Sequence, residues 1–204
     1  MTRRDLLALL ASTAVVQWPG AGWAQQDHDE WVRQREDRRV LEQVIFPYFI
    51  KNESYKSILF VGCAWYTERY NRLFAEAGKR YVTIDPDPAV RKYGAKEHIV
   101  DRLENLAKYF LPSSLDLIIC NGVFGWGLNE KADVEQAFDA CFDSLSTGGM
   151  LLIGWNDIEN HRPLPLSDYK SLQRFAPVNF PPLQTAAYLT NNPNRHTYNF
   201  YSKL

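Results

Sequence analysis

The chain has 204 residues, of which 46% are hydrophobic, 14% aromatic and 23% charged. That is enough to bury one ordinary core, and 11 Gly, 11 Pro and 3 Cys exclude a low-complexity chain or a disulfide scaffold. With 23 Lys and Arg against 24 Asp and Glu, the net charge of −1 gives no general attraction to nucleic acid or to an anionic membrane.

Residues 1–26 stand apart. Arg3-Arg4 precedes an uncharged, mostly apolar run from Leu6 to Val16, then Pro19, Gly20 and the small-residue stretch Ala21-Gly22-Trp23-Ala24. A basic start, a short apolar centre and a small residue at a cleavage point describe a bacterial export signal of the twin-arginine kind, with cleavage after Ala24. The apolar run is too short to span a bilayer, which takes about 20 residues. The other reading is a retained N-terminal helix packing Leu6, Leu7, Leu9 and Leu10.

From Asp27 to Arg39 charges of both signs alternate, the pattern of a solvated helix face. Val40, Leu41, Val44 and Ile45 add an apolar side at helical spacing, and Pro47 and Asn52 are expected to close this helix. Residues 27–204 then read as a single domain. Ser57–Val61 is a continuous apolar run ending at Gly62, as in a parallel strand buried on both faces. A helix is expected from Thr67 to Ala77, closed by Gly78, and strands over Tyr81–Ile84 and Glu97–Val100. Leu103–Phe110 reads as helix, Leu115–Cys120 as a fourth strand, Lys131–Leu145 as helix, and Met150–Gly154 as a fifth strand after Gly148-Gly149. A Pro-rich segment follows, with a short helix expected over Asp168–Phe175. The chain closes on an alternating strand, Thr197–Tyr201, with a possible partner near Thr185–Leu189. Strands alternating with helices predict a mostly parallel sheet covered on both faces.

This order resembles the class I S-adenosylmethionine-dependent methyltransferases over Val40–Leu204. The resemblance implies a Rossmann-like seven-stranded sheet in the order 3-2-1-4-5-7-6, with the last strand antiparallel. It also implies S-adenosylmethionine as cofactor. Gly62-Cys63-Ala64-Trp65-Tyr66 fills the turn after the first strand, although Ala64 and Tyr66 stand where the family often has glycine. Asp85, with Pro86 after it, fills the ribose position, and Asp101 the adenine position. Asn121 and Gly122 end the fourth strand, where the reacting groups gather.

The physical chemistry of these positions agrees with the resemblance. Gly62 lets backbone approach a ligand at a strand-to-helix turn, and the following helix N-terminus favours a carboxylate. Asp85 lies about 20 residues on, where a carboxylate can accept from two ribose hydroxyls; it also suits a turn, and Asp101 equally suits a helix cap. Phe124, Trp126 and His161 are substrate candidates, the aromatic faces attracting a cationic group, with Trp126 also reading as packing within a lid. Methyl transfer needs mainly alignment and exclusion of water, so no catalytic base is singled out; His161, Asp157, Glu159 and Tyr66 qualify by position alone. Cys63 and Cys120 end neighbouring strands and read as small buried thiols, or as a bridge in an oxidising compartment. The four His show no metal-ligand spacing.

These readings leave three functions open: methyl transfer to a small-molecule acceptor, a catalytically degenerate binding protein, possibly exported, and a nicotinamide-dependent oxidoreductase. Against the last, Gly62-x-Ala64-x-x-Thr67 lacks two of three glycines. The cofactor is made inside cells, which favours the cytoplasm; the twin-arginine-like start leaves the periplasm open.

Overall fold

The computed structural model describes the backbone of residues 22–204 and the side chains from residue 28 onward. The export-like features up to residue 21 lie outside the described residues. Helix α1 (Gly22–Arg33) begins ahead of the expected cleavage point after Ala24. Among the described residues no helix is long and apolar enough to cross a membrane.

Strands β1 (Ser57–Val61), β2 (Arg80–Ile84), β3 (Glu97–Ile99), β4 (Leu115–Asn121) and β5 (Leu145–Asn156) are mutually parallel. Strand β8 (His196–Ser202) runs antiparallel to β5, pairing Met150 with Ser202 through Asn156 with His196. The order across the sheet is β3-β2-β1-β4-β5-β8-β6, with β7 (Ala187–Leu189) also antiparallel on β8. Strand β6 is only Ala176–Pro177, a short edge that a proline can occupy without breaking a ladder. Counting β7 as the sixth strand of the resemblance, the expected order 3-2-1-4-5-7-6 is the observed one, with β6 added.

Alternation along the central strands divides the interior into two cores. Leu59, Val61, Ile118 and Cys120 face one side with Phe138 and Cys141 of helix α5 (Lys131–Ser144), whereas Ile58, Phe60, Leu117 and Ile119 face the other. That second side is covered by Leu41, Ile45, Phe46 and Phe49, and by Tyr70 and Phe74 of helix α4 (Glu68–Glu76). Both faces of β1 and β4 are therefore dry, which is why these strands read as unbroken apolar runs.

Five expectations are corrected. Pro47 does not end its helix: α2 (Glu36–Val40) passes through a π-helical turn at Leu41–Ile45 into α3 (Phe46–Lys51), where Pro47 sits in the first turn. The wider turn, in which the Phe46 amide bonds the Leu41 carbonyl, accommodates a residue that lacks an N–H and would crowd the preceding carbonyls. Strand β5 starts directly at Leu145 rather than Met150, with a register shift opposite Leu115–Leu117. The expected Asp168–Phe175 helix is instead two single 3₁₀ turns, Leu166–Asp168 and Leu172–Arg174. Between them the amides of Lys170 and Ser171 donate to the Glu135 carboxylate at 2.9 and 2.8 Å, so they are unavailable for helical bonds. Leu103–Lys108 is likewise 3₁₀.

The fifth correction concerns the charged N-terminal run. Glu30, Arg33 and Arg35 are exposed as expected, but Asp37 and Glu42 are buried and the Arg38 side chain is only 12% exposed. They point inward because they have polar partners there. The Glu42 carboxylate takes the Tyr70 hydroxyl at 2.8 Å and His28 Nε2 at 2.9 Å, while Asp37 Oδ1 takes the Asn192 amide at 2.8 Å.

The Pro-rich segment is tied down by Phe180, stacked on Phe200 of β8 with ring centroids 4.3 Å apart and planes 2° from parallel. Both rings are fully buried. Phe200→Ala should lower the unfolding free energy by about 3–5 kcal/mol in urea titration, the usual cost of removing a buried phenyl ring.

Candidate active site

The order of the sheet reverses between β1 and β4: from β1 the chain moves outward to β2 and β3, then returns to β4 on its other side. A crevice opens outside the carboxyl ends of the strands at such a switch point. Gly62 follows β1 there with φ +86°, and a Cβ at this position would lie 2.8 Å from Val123 Cγ2. Only glycine combines that backbone conformation with that space. A cleft of about 270 Å³ lies against it, lined among others by Gly62, Asp85, Pro86, Asp101, Leu103, Gly122, Val123 and Trp126.

Asp85 is set by two backbone donors. Its Oδ2 accepts from the Cys63 amide at 2.7 Å and its Oδ1 from the Asp87 amide at 2.9 Å. A carboxylate offers about four acceptor positions, so two remain for a ligand. Asp85 thus closes the Asp-Pro-Asp-Pro turn and also lines the cleft. The Thr67 hydroxyl accepts from the Ala64 amide at 3.0 Å and donates to the Ala64 carbonyl at 2.9 Å, fixing the turn ahead of α4.

Asp101 also lines the cleft, but its carboxylate accepts from Asn105, Tyr109 and the Arg102 amide, each at 2.7 Å. These donors hold its pKa well below the usual carboxylate range, chiefly through Tyr109. Tyr66 is half-buried, stacked on Trp31 at 5.6 Å and beneath the Arg38 guanidinium at 4.5 Å.

Asn121 belongs to a buried polar lock. His196 Nε2 lies 3.1 Å from the Asn121 amide and His196 Nδ1 2.7 Å from the Asn156 amide, so one imidazole joins the ends of β4, β5 and β8. Burial, then the nearby Arg38 charge, lowers the His196 pKa to about 3, and the ring is neutral. A neutral imidazole donates from one nitrogen and accepts at the other, so one amide turns its NH₂ to the ring. A Cβ at Gly154 would collide with the Asn121 side chain, so glycine there makes room for the lock.

The substrate candidates separate. Phe124 does not reach the cleft: it is fully buried, 5.6 Å from Trp155 and 5.7 Å from Tyr169 by ring centroid. Trp126, by contrast, is exposed and lines the cleft. Trp126 lies flat on His161, with centroids 3.8 Å apart and planes at 15°, and His161 Nδ1 is 3.2 Å from the Gly125 carbonyl. Among the positional base candidates, Asp157 is held by Arg162 and Arg195, and Glu159 is exposed. Cys63 and Cys120 are free, buried thiols whose pKa values are raised by burial to about 11 and about 12.

The sequence reading missed Arg38, Glu42, His196 and Asn156. Arg38 and Glu42 carried a usable signal, because with Leu41 and Ile45 they share one helix face. His196 carried none, since its partners come from strands 40 and 75 residues away.

Residues 59–153 match the family model of the methyltransferase domain. That match and the fold support the class I S-adenosylmethionine-dependent methyltransferase superfamily. This methyltransferase domain implies S-adenosylmethionine as its cofactor. Among solved structures, the chain is similar to the N-methyltransferase NodS from Bradyrhizobium japonicum WM9 in complex with S-adenosyl-L-homocysteine. Identity is 15%, covering 98% of this chain and 97% of that one, with a TM-score of 0.56. It is also similar to the 1,6-didemethyltoxoflavin N1-methyltransferase of Burkholderia thailandensis, at 13% identity over 93% and 94% of the two chains and a TM-score of 0.53. A TehB-like methyltransferase from Corynebacterium glutamicum gives 15%, 88%, 100% and 0.56 for the same measures. At these identities the likenesses show the fold. No match to a curated protein sequence is found.

The neutral His196 gives a measurable pH dependence. Between about pH 6.5 and 3 the unfolded imidazole is protonated and the folded one is not, so the unfolded state binds more protons and stability rises with pH. Acidification from pH 6.5 should therefore destabilise the wild type more steeply than His196→Gln. The difference in slope, read by urea titration at several pH values, should approach about 1.4 kcal/mol per pH unit.

Proposed function

We propose that residues 27–204 act as one unit that transfers a methyl group from S-adenosylmethionine to a small-molecule acceptor by in-line displacement. The observation that carries this reading is the Gly62 cradle beside Asp85: backbone no side chain can fill, next to a carboxylate with two acceptor positions left.

The residues present fit the cofactor. The Asp85 carboxylate would accept from both ribose hydroxyls, a charge-assisted pair. Pro86 and Leu103 would supply apolar surface to the adenine, with Asp101 at its edge. Because the Asp101 oxygens already hold Asn105 and Tyr109, its part there is to fix the Arg102 backbone and the cleft wall. Gly62, Cys63, Ala64 and Gly122 would approach the amino-acid end through backbone, with Asn121 beside it at the end of β4. Tyr66, turned against Trp31, leaves the turn open despite its bulk.

The bound cofactor supplies a methyl group already activated on a sulfonium. What remains for this chain is alignment and exclusion of water. The Asn121–His196–Asn156 lock holds the end of β4 rigid, and Trp126, braced on His161, closes one side of the cleft. His196 is a positioning residue, because it acts through Asn121. The near-neutral charge supports a small acceptor over nucleic acid. The Burkholderia thailandensis N1-methyltransferase, solved with bound 1,6-didemethyltoxoflavin, is consistent with that choice. Supply of the donor favours action in the cytoplasm.

Isothermal titration of the full chain with S-adenosylmethionine and S-adenosylhomocysteine tests the reading. Micromolar binding of both is expected, weakened at least tenfold in Asp85→Ala and in Gly62→Val. Absence of binding to the wild type overturns the enzyme reading and leaves a degenerate binding protein.

A further inference from the structure

We propose that Glu104, and not Asp101, accepts a hydrogen bond from the 6-amino group of the donor's adenine ring. This rests on the methyltransferase reading and deepens it, by naming the residue that selects the donor's base.

Asp101 stands where an acid would meet the adenine, but its carboxylate is occupied. Of about four acceptor positions, Asn105, Tyr109 and the Arg102 amide fill three. A ligand amino group would have to compete there with donors already in place.

Glu104, three residues on, is the opposite case. It lines the same cleft, and its side chain is only 9% exposed. A single oxygen carries its bonds: Oε1 accepts from Arg102 Nε at 2.9 Å and from Arg102 Nη2 at 2.6 Å. Among the described residues nothing donates to Oε2. Carboxylate oxygens so far withdrawn from water are ordinarily hydrogen-bonded, so one left open on a cleft wall marks a position for a donor on the ligand.

The surroundings define that ligand group. Arg102 Nη2 also reaches Asp133 of α5 at 2.7 Å, and the Gln136 side chain donates to the Glu104 carbonyl at 3.3 Å, so the carboxylate is held in place. Ile84, Pro86, Leu103 and Leu128 line the same cleft. Apolar walls with one fixed acceptor suit a flat ring carrying an N–H group at its edge, which is an aminopurine.

Strand order separates this position from the acceptor's. The sheet runs outward β4-β1-β2-β3, with Gly62 after β1, Asp85 after β2 and the 101–104 segment after β3. A donor with its amino-acid end at Gly62 and its ribose on Asp85 therefore carries its base toward the end of β3. Its methyl group lies toward β4, where the acceptor enters, on the side away from Glu104.

The test titrates the full chain by calorimetry with S-adenosylhomocysteine, its analogue bearing hydrogen in place of the 6-amino group, and its 6-oxo analogue. The wild type should bind S-adenosylhomocysteine at least tenfold more tightly than the 6-hydrogen analogue. In Glu104→Ala the two should bind within threefold of each other, whereas Asp101→Asn should weaken both alike and keep the preference. In Glu104→Gln the one amide oxygen goes to Arg102 and the NH₂ faces the cleft. There the 6-oxo analogue should gain at least tenfold on S-adenosylhomocysteine relative to the wild type. No preference in the wild type, a preference that survives in Glu104→Ala, or one lost in Asp101→Asn overturns the inference and leaves the methyltransferase reading intact. Failure of S-adenosylhomocysteine to bind the wild type overturns both. If Glu104→Ala does not fold, Glu104→Gln decides, an unchanged 6-oxo ratio overturning the inference.

Discussion

Strand β1 must pair in parallel on both edges, with β2 along Ser57–Val61 and with β4 along Ile58–Val61. Everything at the site follows from that constraint. Parallel pairing needs a crossover on each side, so helices and 3₁₀ turns cover both faces and all three strands end at the same edge of the sheet. Gly62, Asp85 and Asn121 each lie at or just past such an end. Their separation in sequence is the length of the crossovers; their proximity is the spacing of hydrogen-bonded strands, roughly 5 Å. The Cys63 amide on Asp85 then couples two neighbouring strand ends directly, so the turn after β1 and the Asp85 carboxylate cannot drift apart.

A second layer is built from polar groups out of water. His196 joins β4, β5 and β8 through two amides, and Asp37 and Glu42 join the N-terminal helices to Tyr198, Asn192 and Tyr70. Such networks specify one arrangement, since a shift of any member leaves a buried donor or acceptor unpaired. The N-terminal helices therefore belong to the architecture of the site. Their exposed charges, Glu30 and Arg33, form a surface pair of the kind that adds little stability.

Much of this was legible in the chain. The continuous apolar runs at Ser57–Val61 and Leu115–Cys120, the helix ending at Gly78 and the alternating terminal strand were written in local periodicity, because burial on one or both faces dictates residue type directly. The errors have an equally physical source. Pro47 breaks a regular α-helix but not one widened by a π turn, and the Asp168–Phe175 segment lost its helical bonds to a carboxylate 35 residues away. Phe124 and Trp126 are both aromatic neighbours of Gly125, and residue type could not say which one faces the core.

Sequence by itself determined the class of fold, the switch point and the positions of Gly62, Asp85 and Asn121, because these depend on strand order and on turn chemistry that act over short spans of chain. Only the tertiary structure decided that Asp101 is already engaged by Asn105 and Tyr109, that Phe124 is core, that His196 holds Asn121 and that Arg38 lies on Tyr66. Those outcomes turn on hydrogen bonds and burial between distant segments. The same Asp, Phe, His or Arg satisfies local rules equally well in either role, until packing fixes which partners it can reach.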